Sequence, residues 1–149
     1  MADNEKTSIT RAYQPLDTAP TGEPQKKILV VDDNEIIVRT ITLKLQGVGY
    51  KVVSALDGSE AVALVRKESP DLILLDISFP ANVSGMWDGF QIMQWFHRLG
   101  TRNIPVIIIT GSKEPEIKER ATAAGAVAVF QKPLEFDHLL EAVRAALGS

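Results

Sequence analysis

The sequence predicts a doubly wound α/β domain, a five-stranded parallel sheet with helices on both faces, over residues 26–149. Two observations point there. From Lys27 onward, short apolar runs alternate strictly with longer amphipathic stretches, the pattern of repeated strand and helix units. Most of the apolar runs are also nearly continuous, as strands covered by helices on both faces require.

The expected strands are ILVV (Ile28 to Val31), YKVVSA (Tyr50 to Ala55), LILL (Leu72 to Leu75), PVIII (Pro105 to Ile109) and VAVF (Val127 to Phe130). Lys51 and Ser54 interrupt the second, which therefore suits a sheet edge, whereas the other four read as covered runs. Asn34 can cap a first helix whose apolar positions Ile37, Ile41 and Leu45 recur at helical spacing, with Gly47 or Gly49 to end it. Ser59 is the expected cap of a second helix running toward Glu68 and stopped near Pro70, with Asp57-Gly58 before it read as a turn. A third helix, Phe90 to Leu99, places Ile92, Met93, Phe96 and Leu99 on one side. The fourth covers roughly Glu114 to Ala124, where the charges of KEPEIKER read as a solvated face. The fifth carries Leu139, Leu140, Val143 and Leu147 at core-facing spacing. Residues 1–25 are rich in Thr, Pro, Asp and Glu without periodicity, and are expected to form a flexible tail.

Composition removes several function classes. A chain of 149 residues that is 45% hydrophobic can bury one proper core. Its formal charge of −3 gives no basic surplus for tracking phosphates, so direct nucleic-acid binding is not expected. Cysteine is absent, which removes disulfides and thiolate chemistry and is compatible with a reducing compartment. The polar N-terminus offers no signal peptide or membrane span, so a soluble cytoplasmic protein with no membrane partner is expected.

In open parallel sheets, ligands bind at the carboxyl ends of the strands, near the point where strand order reverses. The residues just after the strands are Asp32 and Asp33, Asp76, Thr110 and Lys132. Any one acid there serves equally well as a turn former or helix cap. Together they are harder to dismiss, because two carboxylates about 5 Å apart at an effective dielectric near 20 repel by roughly 3 kcal/mol. A hard divalent cation offsets that cost, and magnesium favours one or two carboxylates plus phosphate oxygens. With a hydroxyl and an ammonium beside it, the set points to phosphoryl chemistry.

The segments KILVVDDNE, PDLILLDISFP, IPVIIITG and AAGAVAVFQKPL resemble, in order and spacing, the blocks of the response regulator receiver domain of two-component systems. The resemblance covers Lys27 to Leu147 and implies a flavodoxin-like fold of strand order 2-1-3-4-5. It implies that Asp76 takes a phosphoryl group from a histidine kinase or histidine phosphotransfer protein and that the domain then signals to a downstream output protein. It further implies magnesium held by Asp32, Asp33, Asp76 and the carbonyl of Ser78, a switch hydroxyl on Thr110, and a phosphate-pairing ammonium on Lys132. Pro133 would follow a cis peptide bond, and Gly111 would leave the phosphohistidine room. Such a domain is a regulated signalling module, not a turnover enzyme, and catalyses only its own phosphotransfer and dephosphorylation.

Two features depart from the family pattern. Val129 stands three positions before Lys132, where the family commonly has an aromatic that couples to the Thr, while Phe130 beside it should face the other way as core. The stretch ISFPANVSGMWDG after Asp76 is longer than usual, either a tolerated insertion or a partner contact carrying Met86 and Trp87. Asn82-Val83-Ser84 matches a glycosylation sequon only by accident in a cytoplasmic setting. His97 and His138 read as helix-surface residues. Among competing functions, an Asp-nucleophile phosphatase of the haloacid dehalogenase type needs a second Asp where Ser78 stands, and a dinucleotide binder needs glycines where DDNE follows the first strand. An unphosphorylated scaffold would have no use for the intact acid, Thr and Lys set.

Overall fold

The computed structural model describes residues 25–77, 89–98 and 104–148. The expectations for the N-terminal tail, for Ser78 and the long stretch with its sequon, Met86 and Trp87, for Leu99 and for the His97 side chain fall outside the described residues.

Among the described residues five strands and five helices alternate: β1 (Lys27–Val31), α1 (Glu35–Gly47), β2 (Lys51–Ala55), α2 (Gly58–Glu68), β3 (Leu72–Asp76), α3 (Gly89–Arg98), β4 (Val106–Thr110), α4 (Pro115–Ala123), β5 (Ala128–Gln131) and α5 (Phe136–Leu147). The strands form one sheet of order β2-β1-β3-β4-β5, all neighbours parallel. Strand order reverses direction at β1, whose neighbours are β2 on one side and β3 on the other.

Alternation along the strands divides the core into two layers. Leu29, Val31, Ile73, Leu75 and Ile108 pack on one face with Ala61, Val65, Ile92, Met93, Phe96 and Ala121 from α2, α3 and α4. Ile28, Val30, Leu72, Leu74, Ile107 and Ile109 pack on the other with Val38, Ile41 and Leu45 of α1 and Leu139 and Val143 of α5. β1, β3 and β4 are covered on both faces, hence their unbroken apolar sequences. β2 lies at an edge, as its interrupting Lys51 and Ser54 suggest. β5 differs from the covered run expected of VAVF: it is the opposite edge, its first three residues only half-buried and Gln131 exposed.

The helix ends follow local chemistry. Asn34 caps α1 by accepting from the amides of Ile36 and Ile37. Past the helix, Gly49 takes a φ of 106°, which a residue with a Cβ rarely adopts. α2 corrects the expectation of a Ser59 cap: Asp57 caps it, accepting from the Glu60 amide at 2.8 Å, and Gly58 is its first residue. Glu60 in turn accepts from the Leu56 amide at 2.9 Å, so two otherwise orphaned donors are satisfied across one turn. The charged positions of α4 lie in solvent as expected, with Arg120 over the Phe90 ring of α3 at 3.9 Å.

Candidate functional site

The parallel sheet brings all the described candidate residues to one rim. Asp32 follows β1 and is still held by the ladder, its amide donating to the Ala55 carbonyl at 3.2 Å. Asp76 ends β3, Thr110 ends β4, and Lys132 follows β5 with its amide on the Thr110 carbonyl at 2.8 Å. By strand alternation Asp32, Asp76 and Lys132 share the parity of the residues facing α1 and α5, whereas Thr110 and Gln131 share that of the residues facing α4. The acids and the ammonium therefore meet on one side of the rim, and the hydroxyl approaches from the other.

One carboxylate oxygen from each of Asp32, Asp33 and Asp76 lies within 4.8 Å of the others. Asp32 and Asp76 are buried, at 2% and 1% exposure, while Asp33 faces solvent. The Lys132 ammonium donates to Asp76 Oδ2 at 3.0 Å and stands 3.4 Å from Asp32 Oδ2. Asp32 Oδ1 accepts the Asn34 amide at 2.9 Å, whereas its buried Oδ2 makes no hydrogen bond among the described residues and lies 3.4 Å from the Lys132 ammonium.

These surroundings set the protonation equilibria. Burial drives the Asp32 carboxyl up from 3.8 to about 6; the Asn34 amide opposes this, and the charge of Asp76 adds to it. Burial pushes the Lys132 ammonium down, but its hydrogen bond to Asp76 and the charges of both acids outweigh that and leave it above the ordinary lysine value. Among the described residues, the Lys132 ammonium thus faces two buried acids, with Asp33 beside them. The donor set is all oxygen, clustered and partly open to solvent through Asp33, and one buried oxygen lacks a hydrogen bond. It fits a hard divalent cation that keeps several waters.

Thr110 is buried, and its hydroxyl accepts the Ser112 amide at 3.0 Å. The Lys132–Pro133 peptide bond is cis. Phe130, half-buried, packs against the α1/α5 layer and Val129 against the opposite layer, so the aromatic faces away from Thr110's side of the sheet, as its strand position suggests. His138 sits on the surface with Nδ1 at 2.9 Å from Glu135.

The sequence profile of the response regulator receiver domain matches residues 28–144. The chain belongs to that family. It is 32% identical over 124 residues to the polar-differentiation response regulator DivK of Brucella anthropi, covering 83% of this chain and 97% of that protein. A CheY-like receiver domain protein from Methanospirillum hungatei superposes with a TM-score of 0.75 at 30% identity, over 84% of this chain and 95% of its own. The chemotaxis protein CheY4 of Vibrio cholerae gives 0.74 at 30% identity, over 83% and 100%. A receiver domain of two-component signalling, with a regulatory role, is therefore the identity on which the chemistry of the rim has to be built.

The residues that sequence reasoning overlooked are those that hold the named ones. The sequence marks Asn34 as a helix cap alone, yet its amide also fixes Asp32. Ser112 and Gln131 carried no signal, because their link depends on two chain segments meeting: Gln131 Nε2 donates to the Ser112 carbonyl at 2.9 Å across 19 residues.

Proposed function

We propose that this receiver domain is a phosphoacceptor: Asp76 takes a phosphoryl group from a phosphohistidine on a histidine kinase or histidine phosphotransfer protein, with Mg2+ at the acid cluster, and the modified domain alters its contacts with an output protein. The observation that carries this is the convergence of three carboxylates within 4.8 Å, with Lys132 Nζ 3.0 Å from an oxygen of Asp76. A purely structural site has no reason to bear that repulsion.

Asp32, Asp33 and Asp76 would hold the ion, with the Ser78 carbonyl as the further ligand that family resemblance supplies. The ion, when bound, neutralises charge on the acids and on the oxygens of the transferring group. An oxygen of Asp76 forms a bond to phosphorus as the phosphorus–nitrogen bond to histidine breaks, and the imidazole leaves. Lys132, already at this oxygen, pairs with the new phosphoryl group. Thr110 donates its hydroxyl proton to it from the α4 side. The modified side chain carries about 1.5 to 2 negative charges in place of the one on the carboxylate, a change large enough to bias a two-state surface.

Partner docking finds support beside the rim. Ile36, in the first turn of α1, is 77% exposed, and an apolar groove of about 520 Å³ runs between α1 and the β5–α5 turn, lined by Ile37, Thr40, Lys44 and Phe136. No helix among the described residues is long and apolar enough to cross a membrane, and a cysteine-free chain suits the reducing cytoplasm where we place it.

A radiolabelled phosphohistidine donor tests the reading. Label should move to this chain only with Mg2+ present, cease with a chelator, and be absent from Asp76→Asn. Transfer that ignores the chelator, or that survives in Asp76→Asn, would reject it.

A further inference from the structure

We propose that Gln131 is a positioning residue that holds the Thr110 switch in its resting state; this rests on the phosphoacceptor reading above. Thr110 and Gln131 are paired across β4 and β5, so both project toward α4. The turn that follows Thr110 is fastened through Ser112 at three points. The Ser112 amide donates to Thr110 Oγ1 at 3.0 Å, its carbonyl accepts from Gln131 Nε2 at 2.9 Å, and its hydroxyl oxygen accepts the Glu114 amide at 3.1 Å, just before α4. Meanwhile the Lys132 amide clamps the Thr110 carbonyl to β5. The backbone at Thr110 is therefore fixed, and its side chain and the Ser112 turn are what can move.

A β-branched side chain has few staggered positions. The one seen here commits Oγ1 to the Ser112 amide. Turning the hydroxyl toward Asp76 withdraws that acceptor, and the amide finds another only if the turn shifts. A shift carries the Ser112 carbonyl away from Gln131, so the amide bond of Gln131 opposes the movement. Val129 is too small to supply the aromatic coupling expected at its position, and it lines the same cavity of about 390 Å³ as Thr110, Ser112 and Gln131. Gln131 is exposed, so its rearrangement is open to solvent and to a partner.

Two variants separate the hydrogen bond from bulk. Gln131→Met keeps the length without the donor, and Gln131→Glu keeps the shape but sets an acceptor against the Ser112 carbonyl. Beryllofluoride, a phosphoryl mimic, is titrated at saturating Mg2+ while the Ser112 and Thr110 amide signals are followed by NMR. Both variants should bind it roughly two- to tenfold more tightly than the wild type, the span one hydrogen bond covers. Glu should exceed Met, and Mg2+ affinity without the mimic should be unchanged. Equal or weaker binding of the mimic by both variants overturns the role of Gln131 and leaves the phosphoacceptor reading standing. A wild-type protein that binds Mg2+ but not the mimic overturns both.

Discussion

Asp32 shows most directly what the site costs the fold. Its carboxyl is raised to about 6 in the folded chain against 3.8 outside it, chiefly by burial, so the folded state holds the proton more tightly. Stability from this group is thus present at low pH and is lost as pH rises from about 4 to about 6. Without divalent cations, Asp32→Asn should be more stable than the wild type at pH 8 by about 1 to 3 kcal/mol, the energy equivalent of such a shift. Its thermal midpoint should lack the Asp32 component of the decline between pH 4 and 6. Thermal melts in chelator check both, and an Asp32→Asn protein less stable than the wild type at pH 8 would contradict the electrostatic account. Lys132→Met should do the opposite. Removing the ammonium that faces the buried acids should destabilise the chelated protein by on the order of 2 kcal/mol, and Mg2+ should restore part of the loss. Denaturant unfolding with and without Mg2+ measures this. The residue identities at the rim were legible in the sequence because they follow apolar runs. The unbonded Oδ2 of Asp32 was not, since it depends on where Lys132 and Asn34 place their donors.

Element ends explain where the sequence misled. The strands were expected to stop at the last apolar residue, but β3 and β4 run on through Asp76 and Thr110, so two polar residues sit inside the ladder. Hydrogen-bonded register, not hydrophobicity, ends a parallel strand, and a site built on ladder residues is held more rigidly than one on a loop. At α2 the run Asp57-Gly58-Ser59 offers two capping side chains, and the chain enters the helix so that Asp57 accepts the Glu60 amide, with Ser59 already inside the first turn. Asp57→Ala should therefore cost about 1 kcal/mol, whereas Ser59→Ala should cost much less. Chemical denaturation of the two variants decides this, and a larger loss at Ser59 would refute the assigned cap. β5 misled through composition: its valine and phenylalanine pack inward on alternate faces, and its edge position is a matter of sheet order that no single strand's sequence encodes.

At the scale of the whole molecule, two apolar layers on a shared sheet make the rim a rigid platform. Phe96, fully buried between α3 and the sheet, belongs to the layer facing α2, α3 and α4, far in sequence from every acid of the site. Phe96→Ala should lower global stability by about 3 to 5 kcal/mol, in one cooperative transition. The alternation of strands and helices was enough to read this architecture, because each covered strand must be apolar on both faces. The strand order came instead with family resemblance, which periodicity does not supply. On the proposed function, that platform presents Asp76 for modification. The most direct test is to treat the protein with acetyl phosphate and Mg2+, reduce the acyl phosphate with borohydride, and map the product by peptide mass spectrometry. Homoserine should appear at position 76 and nowhere else, only when Mg2+ is present. Reduction at Asp32, Asp33 or a distant acid, or an unmodified Asp76 under these conditions, would contradict it.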